Sequence, residues 1–169
     1  MKINELPAYR ATDNPKRCCP RFDPQGWDGQ ELHFDGKLFA KARTRSLFHI
    51  PLDMGRVFKK TLGAIEAAGA HSDRDFIVLS RDLSPWASEH YFSVTREVPG
   101  QEMSRLSGDF VTRVFEGPFR KVPQWADEVA ADAAKGGKHL DQTFFFYTTC
   151  PRCAREYGKN YVVAVAQVH

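Results

Sequence analysis

The stretch FFFYTTCPRC, Phe144 to Cys153, sets two kinds of chemistry side by side: four consecutive rings, then two cysteines at CxxC spacing. A thiol pair at that spacing serves metal ligation, redox exchange or plain burial. The chain's other two cysteines, Cys18 and Cys19, are adjacent. Structural zinc sites usually take ligands two to four residues apart, so Cys18-Cys19 makes an awkward second half of a four-thiolate site. Read as a loop between two strands, CPRC also lacks the strand-to-helix setting of a redox motif. The expectation is no metal and no cofactor, with a zinc-stabilised interaction module as the competing reading.

The rings before the cysteines alternate. In a strand, Phe145, Tyr147 and Thr149 share one face, and Phe144, Phe146 and Thr148 share the other. A tyrosine hydroxyl facing a pocket binds a ligand or donates a proton; facing a core, it is simply hydrogen-bonded. Glu116 ends an apolar strand just before a Gly-Pro turn, where a carboxylate can hold a cation or act as general base on water. A solvated strand-end carboxylate is the plainer account. Trp86 sits in the turn LSPWAS, a large ring on a loop, and Tyr91 shares a strand face with Ser93 and Thr95. Together they suit a polar-aromatic wall, as they also suit a core. Trp125 starts a helix off its main apolar stripe. His49 precedes Ile50-Pro51 at the end of another strand, and is a base-and-orienter candidate with Glu116.

The elements that must position these residues follow from periodicity. Composition permits a core: 42% of the residues are hydrophobic and 12% aromatic, more ring surface than the core of 169 residues needs. Residues 1–24 read as an irregular arm, and Asp35-Gly36 between two strand-like runs reads as a hairpin. KARTRSLFHI is a strand. Asp53 then caps a helix with apolar Met54, Val57, Phe58, Leu62 and Ile65, stopped by Gly69. DFIVLSRD and EHYFSVTREV are strands. The order then recurs: DFVTRVFEGPF is a strand, Pro123 opens a helix with Val122, Ala126, Val129, Ala130 and Ala133 on one face, and TFFFYTT and NYVVAVAQV are strands. Phe76 and Phe144, 68 residues apart, start corresponding strands, so the chain reads β-α-β-β twice. An ordinary α+β sandwich with every ring in its core is the competing pattern.

Charge excludes some classes. Lys and Arg number 24 against 21 Asp and Glu, and they are scattered, without the basic stripe of a nucleic-acid binder. No run approaches the ~20 apolar residues of a membrane span, and MKINELPAYR has no apolar signal core. A cytoplasmic protein without nucleic-acid or membrane partners is expected, of undetermined oligomeric state.

The β-α-β-β repetition, the turn Phe115-Glu116-Gly117-Pro118-Phe119, and Phe145-Phe146-Tyr147 followed by Pro151 resemble the gyrase-inhibitor-like (GyrI-like) family of small-molecule-binding domains. CCPRFDP, FHIPL, VPGQEMSRLSGDF, VFEGPF and FYTTCPRCAREYGKNYVV extend the likeness to a group of stand-alone bacterial hydrolases. The resemblance implies an α+β fold of two SH2-like repeats, about 41–100 and 108–169, within a domain 41–169 preceded by an arm and hairpin strand over 1–40. It also implies a central cleft for amphipathic, often cationic aromatic compounds, some of which are hydrolysed, strained cyclopropanes among them. It assigns Tyr147 to that cleft. It places a glutamate two residues before the strand tyrosine, where this chain has Phe145. Glu116 then stands as the substitute, working with Tyr147 as catalytic pair, while Phe145, Trp86, Tyr91, His49 and Trp125 line the ligand. A binding or sequestering protein without turnover is the alternative.

Overall fold

The computed structural model of the chain describes residues 2–8 and 19–169, so Cys18 and the middle of the arm lie outside the described residues. The described residues form an α+β fold of antiparallel strands and three α-helices: β1 (Glu31–Leu47), β2 (Ile50–Pro51), α1 (Met54–Ala67), β3 (Val78–Ser84), β4 (Ala87–Ser93), β5 (Glu102–Glu116), α2 (Val122–Lys135), β6 (Leu140–Tyr147), α3 (Pro151–Tyr157) and β7 (Tyr161–Val168). They divide into two compact units. The β4 unit comprises Gly36–Ser72 and Phe76–Leu106; the β7 unit comprises Met1–Asp35, Asp73–Asp75 and Ser107–His169.

In the β4 unit, β4 is flanked by β1 and β3, both antiparallel, with Ala42 opposite His90 and Val78 opposite Phe92. Helix α1 covers one face. Ile65 is buried against Ala40, Ala70, Phe92 and Val98, and Phe58 packs its ring 5.0 Å from Phe92. The helix starts where the sequence indicates, but Asp53 spends its carboxylate elsewhere: Oδ1 accepts the Arg45 backbone N–H at 2.7 Å and Oδ2 meets Arg45 Nε at 3.2 Å. Its helix has no side-chain cap bond. Gly69, at φ 61°, supplies the left-handed residue that ends it.

In the β7 unit, β7 is flanked by β5 and β6, with Phe115 opposite Val162 and Phe145 opposite Ala164. Helix α2 covers the Phe145 face. Here the stripe differs from the one the spacing suggests: Trp125, Val129 and Ala133, four residues apart, are the buried set, and Ala130 is exposed. Trp125 lies nearly parallel to Phe115 with ring centres 5.0 Å apart. A stripe drawn through the alanines misses the ring because alanine has little area to bury; the helix turns toward its largest apolar side chain. On the opposite face, which carries Phe144 and Phe146, the end of the arm and the residues just after it pack against Phe146. Phe22 and Trp27 pack against Phe146 at 6.2 and 5.6 Å, and along β5 the Gly29 N–H donates to the Thr112 carbonyl at 3.0 Å while the Thr112 N–H donates to the Gln30 carbonyl at 2.9 Å.

Two further elements depart from the sequence reading. Asp35-Gly36 makes no hairpin: β1 runs through it as one strand, with Gly36 taking φ 60° where a missing Cβ permits a left-handed step. CPRC is not a strand-to-strand loop either. Cys150 is the residue before α3, Pro151 occupies the first turn, and Gly158 at φ 71° ends the helix. Proline's fixed φ suits a first helical turn, and glycine suits the left-handed stop.

Candidate functional site

The ionisable chemistry of the β4 unit is concentrated on β4. Glu89, 3% exposed, lies among three cations and a phenol. Lys41 Nζ is 2.9 Å from one carboxylate oxygen and Arg43 3.4 Å; Arg81 binds the other at 3.0 Å, and the Tyr91 hydroxyl donates to it at 3.0 Å. Burial pushes the carboxyl upward, but the bonds from Lys41, Arg81 and Tyr91 outweigh it and hold Glu89 at about 2. The bond to Glu89 raises Lys41, while burial, then Glu89, raises Tyr91. This group holds its protons and its charge tightly. It is an anchor rather than a proton carrier at neutral pH.

Next on the strand, His90 is buried between hydroxyls, with Thr44 Oγ1 2.8 Å from Nε2 and Ser80 Oγ 2.7 Å from Nδ1. Burial lowers it to about 4 against the charges of Asp82, Asp53 and Glu89. A neutral imidazole needs one donor and one acceptor, and two hydroxyls supply either role.

At the turn end of the same sheet the situation reverses. Phe48 and His49 join β1 to β2 in a two-residue turn with Leu47 opposite Ile50, and both have positive φ, 49° and 66°. Such turns favour Asn and Gly, so a phenylalanine there is strained. The β3–β4 turn holds it in place. His49 N–H donates to the Pro85 carbonyl at 2.9 Å, and Ser46 N–H to that of Trp86 at 2.8 Å. His49 Nδ1 lies 2.8 Å from Asp82 Oδ2, and Ser88 Oγ donates to Asp82 Oδ1 at 2.7 Å. An ionised carboxylate only accepts, so Nδ1 carries the proton, and in the neutral ring Nε2 is then the acceptor. Beside the pair, the Phe48 and Trp86 rings meet at 5.0 Å, both largely exposed, and Leu47, Ile50, Leu52 and Leu83 are exposed with them. Exposed apolar residues in such number mark interaction surfaces.

In the β7 unit, Glu116 borders an open groove of about 490 Å³ with Phe119, Pro151, Ala154, Arg155, Lys159 and Asn160. Tyr147, 39% exposed, meets the Phe119 ring edge-on at 5.7 Å. Phe145 and Trp125 are buried in the α2 core, and Tyr91 is buried beside Glu89. Glu116 and His49 fall in different units, and the partner that orients His49 is Asp82. Glu89 is the residue that sequence reasoning passes over. Its signal was present: Glu89-x-Tyr91 is the glutamate-before-tyrosine spacing sought at Phe145 and Tyr147.

Two groups of metal-ligating side chains converge among the described residues, both in the β7 unit. Cys19, Cys150 and Cys153 bring their sulfurs within 4.8 Å of one another, and exposed His139, Asp141 and His169 do so with nitrogens and oxygens.

The sequence model of a family described as bacterial hydrolase matches residues 9–168. No curated protein matches the chain significantly. Among solved structures, an uncharacterized conserved protein from Listeria innocua superposes with a TM-score of 0.62 at 14% identity, over 84% of this chain and 92% of that one. A hydrolase from Listeria innocua superposes with a TM-score of 0.60 at 13% identity, over the same shares. At such identities the likeness is one of fold.

Proposed function

The chain belongs to the bacterial hydrolase family, and from that premise we propose that it hydrolyses amphipathic aromatic small molecules at the turn end of the β4 unit, with His49 as general base. What supports this is the oriented pair His49–Asp82 beside the exposed rings of Phe48 and Trp86. The rings and the leucines around them take up the apolar body of the substrate, the more readily where it is flat. A water molecule attacks the electrophilic atom of the bond to be broken, Nε2 of His49 takes its proton, and the imidazolium returns that proton to the departing group. Asp82 holds the ring in the required tautomer and stabilises the imidazolium that forms; Ser88 holds Asp82. The backbone strain at Phe48 and His49 fits a turn kept for chemistry rather than for folding. The two units, each with a strand, a helix and two further strands in order, are read as a duplicated GyrI-like pair.

The experiment is product formation from a panel of aromatic esters, amides and strained cyclopropanes. Wild-type protein is expected to exceed the buffer rate on at least one compound, and His49→Gln to lower kcat about 100-fold with little change in KM, the usual worth of a positioned base. Loss of turnover in Glu116→Gln or Tyr147→Phe, with His49→Gln unaffected, would move the site to the groove of the β7 unit. Binding without product from any compound would leave a sequestering protein. One observation favours that second reading: Lys41, Arg43 and Arg81 already neutralise Glu89, so the buried carboxylate serves the scaffold and is not free to act on water.

A further inference from the structure

We propose that Cys19, Cys150 and Cys153 bind a zinc ion, which clamps the end of the N-terminal arm onto the start of α3. The three cysteines come from positions 131 residues apart in sequence, yet their sulfurs lie within 4.8 Å of one another. A tetrahedral zinc with Zn–S bonds of about 2.3 Å sets its sulfurs roughly 3.8 Å apart, so closing on the metal needs movements under an ångström or so. Spacing along the chain argued against a four-thiolate zinc site because Cys18-Cys19 is an awkward second half, but the three converging thiols take only Cys19 from that pair. As the first turn of a helix, Cys150-Pro-Arg-Cys153 presents two thiols toward one point, and the fold delivers Cys19 to it.

The surroundings hold the sulfurs in place: Cys150 N–H donates to Cys19 Sγ at 3.3 Å, a backbone bond that orients the ligand. Cys153 is buried at 1% exposure, while Cys19 and Cys150 are half-buried, which limits competition from water without closing the entry path. Cys19 is fixed from behind: the Tyr157 hydroxyl donates to its carbonyl, Arg21 lies 5.0 Å over the Tyr157 ring, and Phe22 packs 5.8 Å from Tyr161. Three soft ligands with a supporting donor select zinc over magnesium, calcium or manganese. The ion would fasten two segments with no regular hydrogen-bonded ladder between them. Since Pro151, Ala154 and Arg155 also wall the Glu116 groove, it would fix that wall as well. The proposal stands independently of where, or whether, the chain hydrolyses anything.

The test uses the full chain, expressed in zinc-supplemented medium and purified with a thiol reductant but no chelator. About one zinc per chain is expected by elemental analysis, and reloading the demetallated protein with Co²⁺ should give an intense sulfur-to-cobalt charge-transfer band. Cys150→Ser and Cys153→Ser should each weaken binding at least about 100-fold, and chelation should lower Tm of the wild type but not of these variants. Folded wild-type protein with less than about a tenth of an equivalent of zinc and no charge-transfer band would overturn the proposal. So would full zinc content with a cobalt spectrum lacking sulfur bands, which would put the ion at His139, Asp141 and His169. Should the serine variants fail to fold, the wild-type cobalt spectrum still decides, because it reports the ligand atoms directly.

Discussion

β4 and β7 are each the middle strand of three antiparallel strands, yet they are made of opposite materials. β7 buries Val162, Val163, Ala164, Val165 and Ala166 in succession, while β4 buries Ser88, Glu89, His90, Tyr91 and Ser93 around Phe92. A strand covered on both faces by apolar residues needs nothing further than packing. A strand carrying a carboxylate and an imidazole needs a partner for every polar atom, and β4 has them: none of the buried side-chain polar atoms among the described residues lacks a bond. The β7 unit is thus held together mainly by contact, the β4 unit by contact and charge. The difference has consequences that solution conditions and single substitutions can expose.

Acid should expose it most. His90 has a folded pKa of about 4, below its ordinary 6.5, so the unfolded chain takes up the proton first and stability drains as pH falls from 6.5 toward 4. Glu89, at about 2 when folded against 4.5, loses its contribution as pH falls from 4.5 toward 2. Each shift corresponds to about 3 kcal/mol, so together they amount to much of the total stability of a domain this size. Hydrogen exchange between pH 7 and 4 should therefore show β4 amides losing protection well before β7 amides, and His90→Gln should remove the upper part of the slope. Equal loss in both units, or an unchanged slope in the variant, would break the comparison.

Removing one charge is the next largest perturbation. Glu89→Gln leaves Lys41 and Arg81, both partly buried, without their counter-charge, at a cost of about 3 kcal/mol. For a chain of this length that is a Tm drop of roughly 10 °C. Restoring shape does not restore charge, so the isosteric amide should be nearly as damaging as alanine. A drop under about 2 °C would mean that the cations find water instead, and that the network is closer to a surface one.

What the sequence made legible follows the same division. Helices α1 and α2, the strand order after residue 41 and Pro123 at a first turn were readable because each depends on neighbours within four residues. Gly36 was misread because Asp-Gly marks a turn locally, whereas β1 runs on through it with Gly36 taking a single left-handed step. Cys150 to Tyr157 was misread because a seven-residue helix has barely two turns in which to show a period. Trp125 looked peripheral because the alanines around it drew a competing stripe. The site was less legible than the fold. His49 drew notice, but the carboxylate that orients it is 33 residues away on β3, and no spacing rule connects a β1–β2 turn to a strand across a sheet.

The smallest predicted effect bears most directly on the turn itself. Phe48 and His49 hold left-handed conformations that cost a bulky L-residue about 1 kcal/mol each, and Asn-Gly is the pair such a turn prefers. Replacing Phe48→Asn and His49→Gly together should therefore stabilise the protein by about 1–2 kcal/mol, a rise of a few degrees in Tm, after allowing for the lost contact between Phe48 and Trp86. If the turn carries the reaction, the same change removes both the base and half of the ring pair, so stability and turnover should move in opposite directions. A rise in Tm with turnover intact would separate strain from chemistry and leave the turn as an expensive way to make a hairpin. A fall in Tm would show that the Phe48–Trp86 contact and the His49–Asp82 bond together contribute more than the two backbone conformations cost, so that the turn is held by its side chains and not by its backbone.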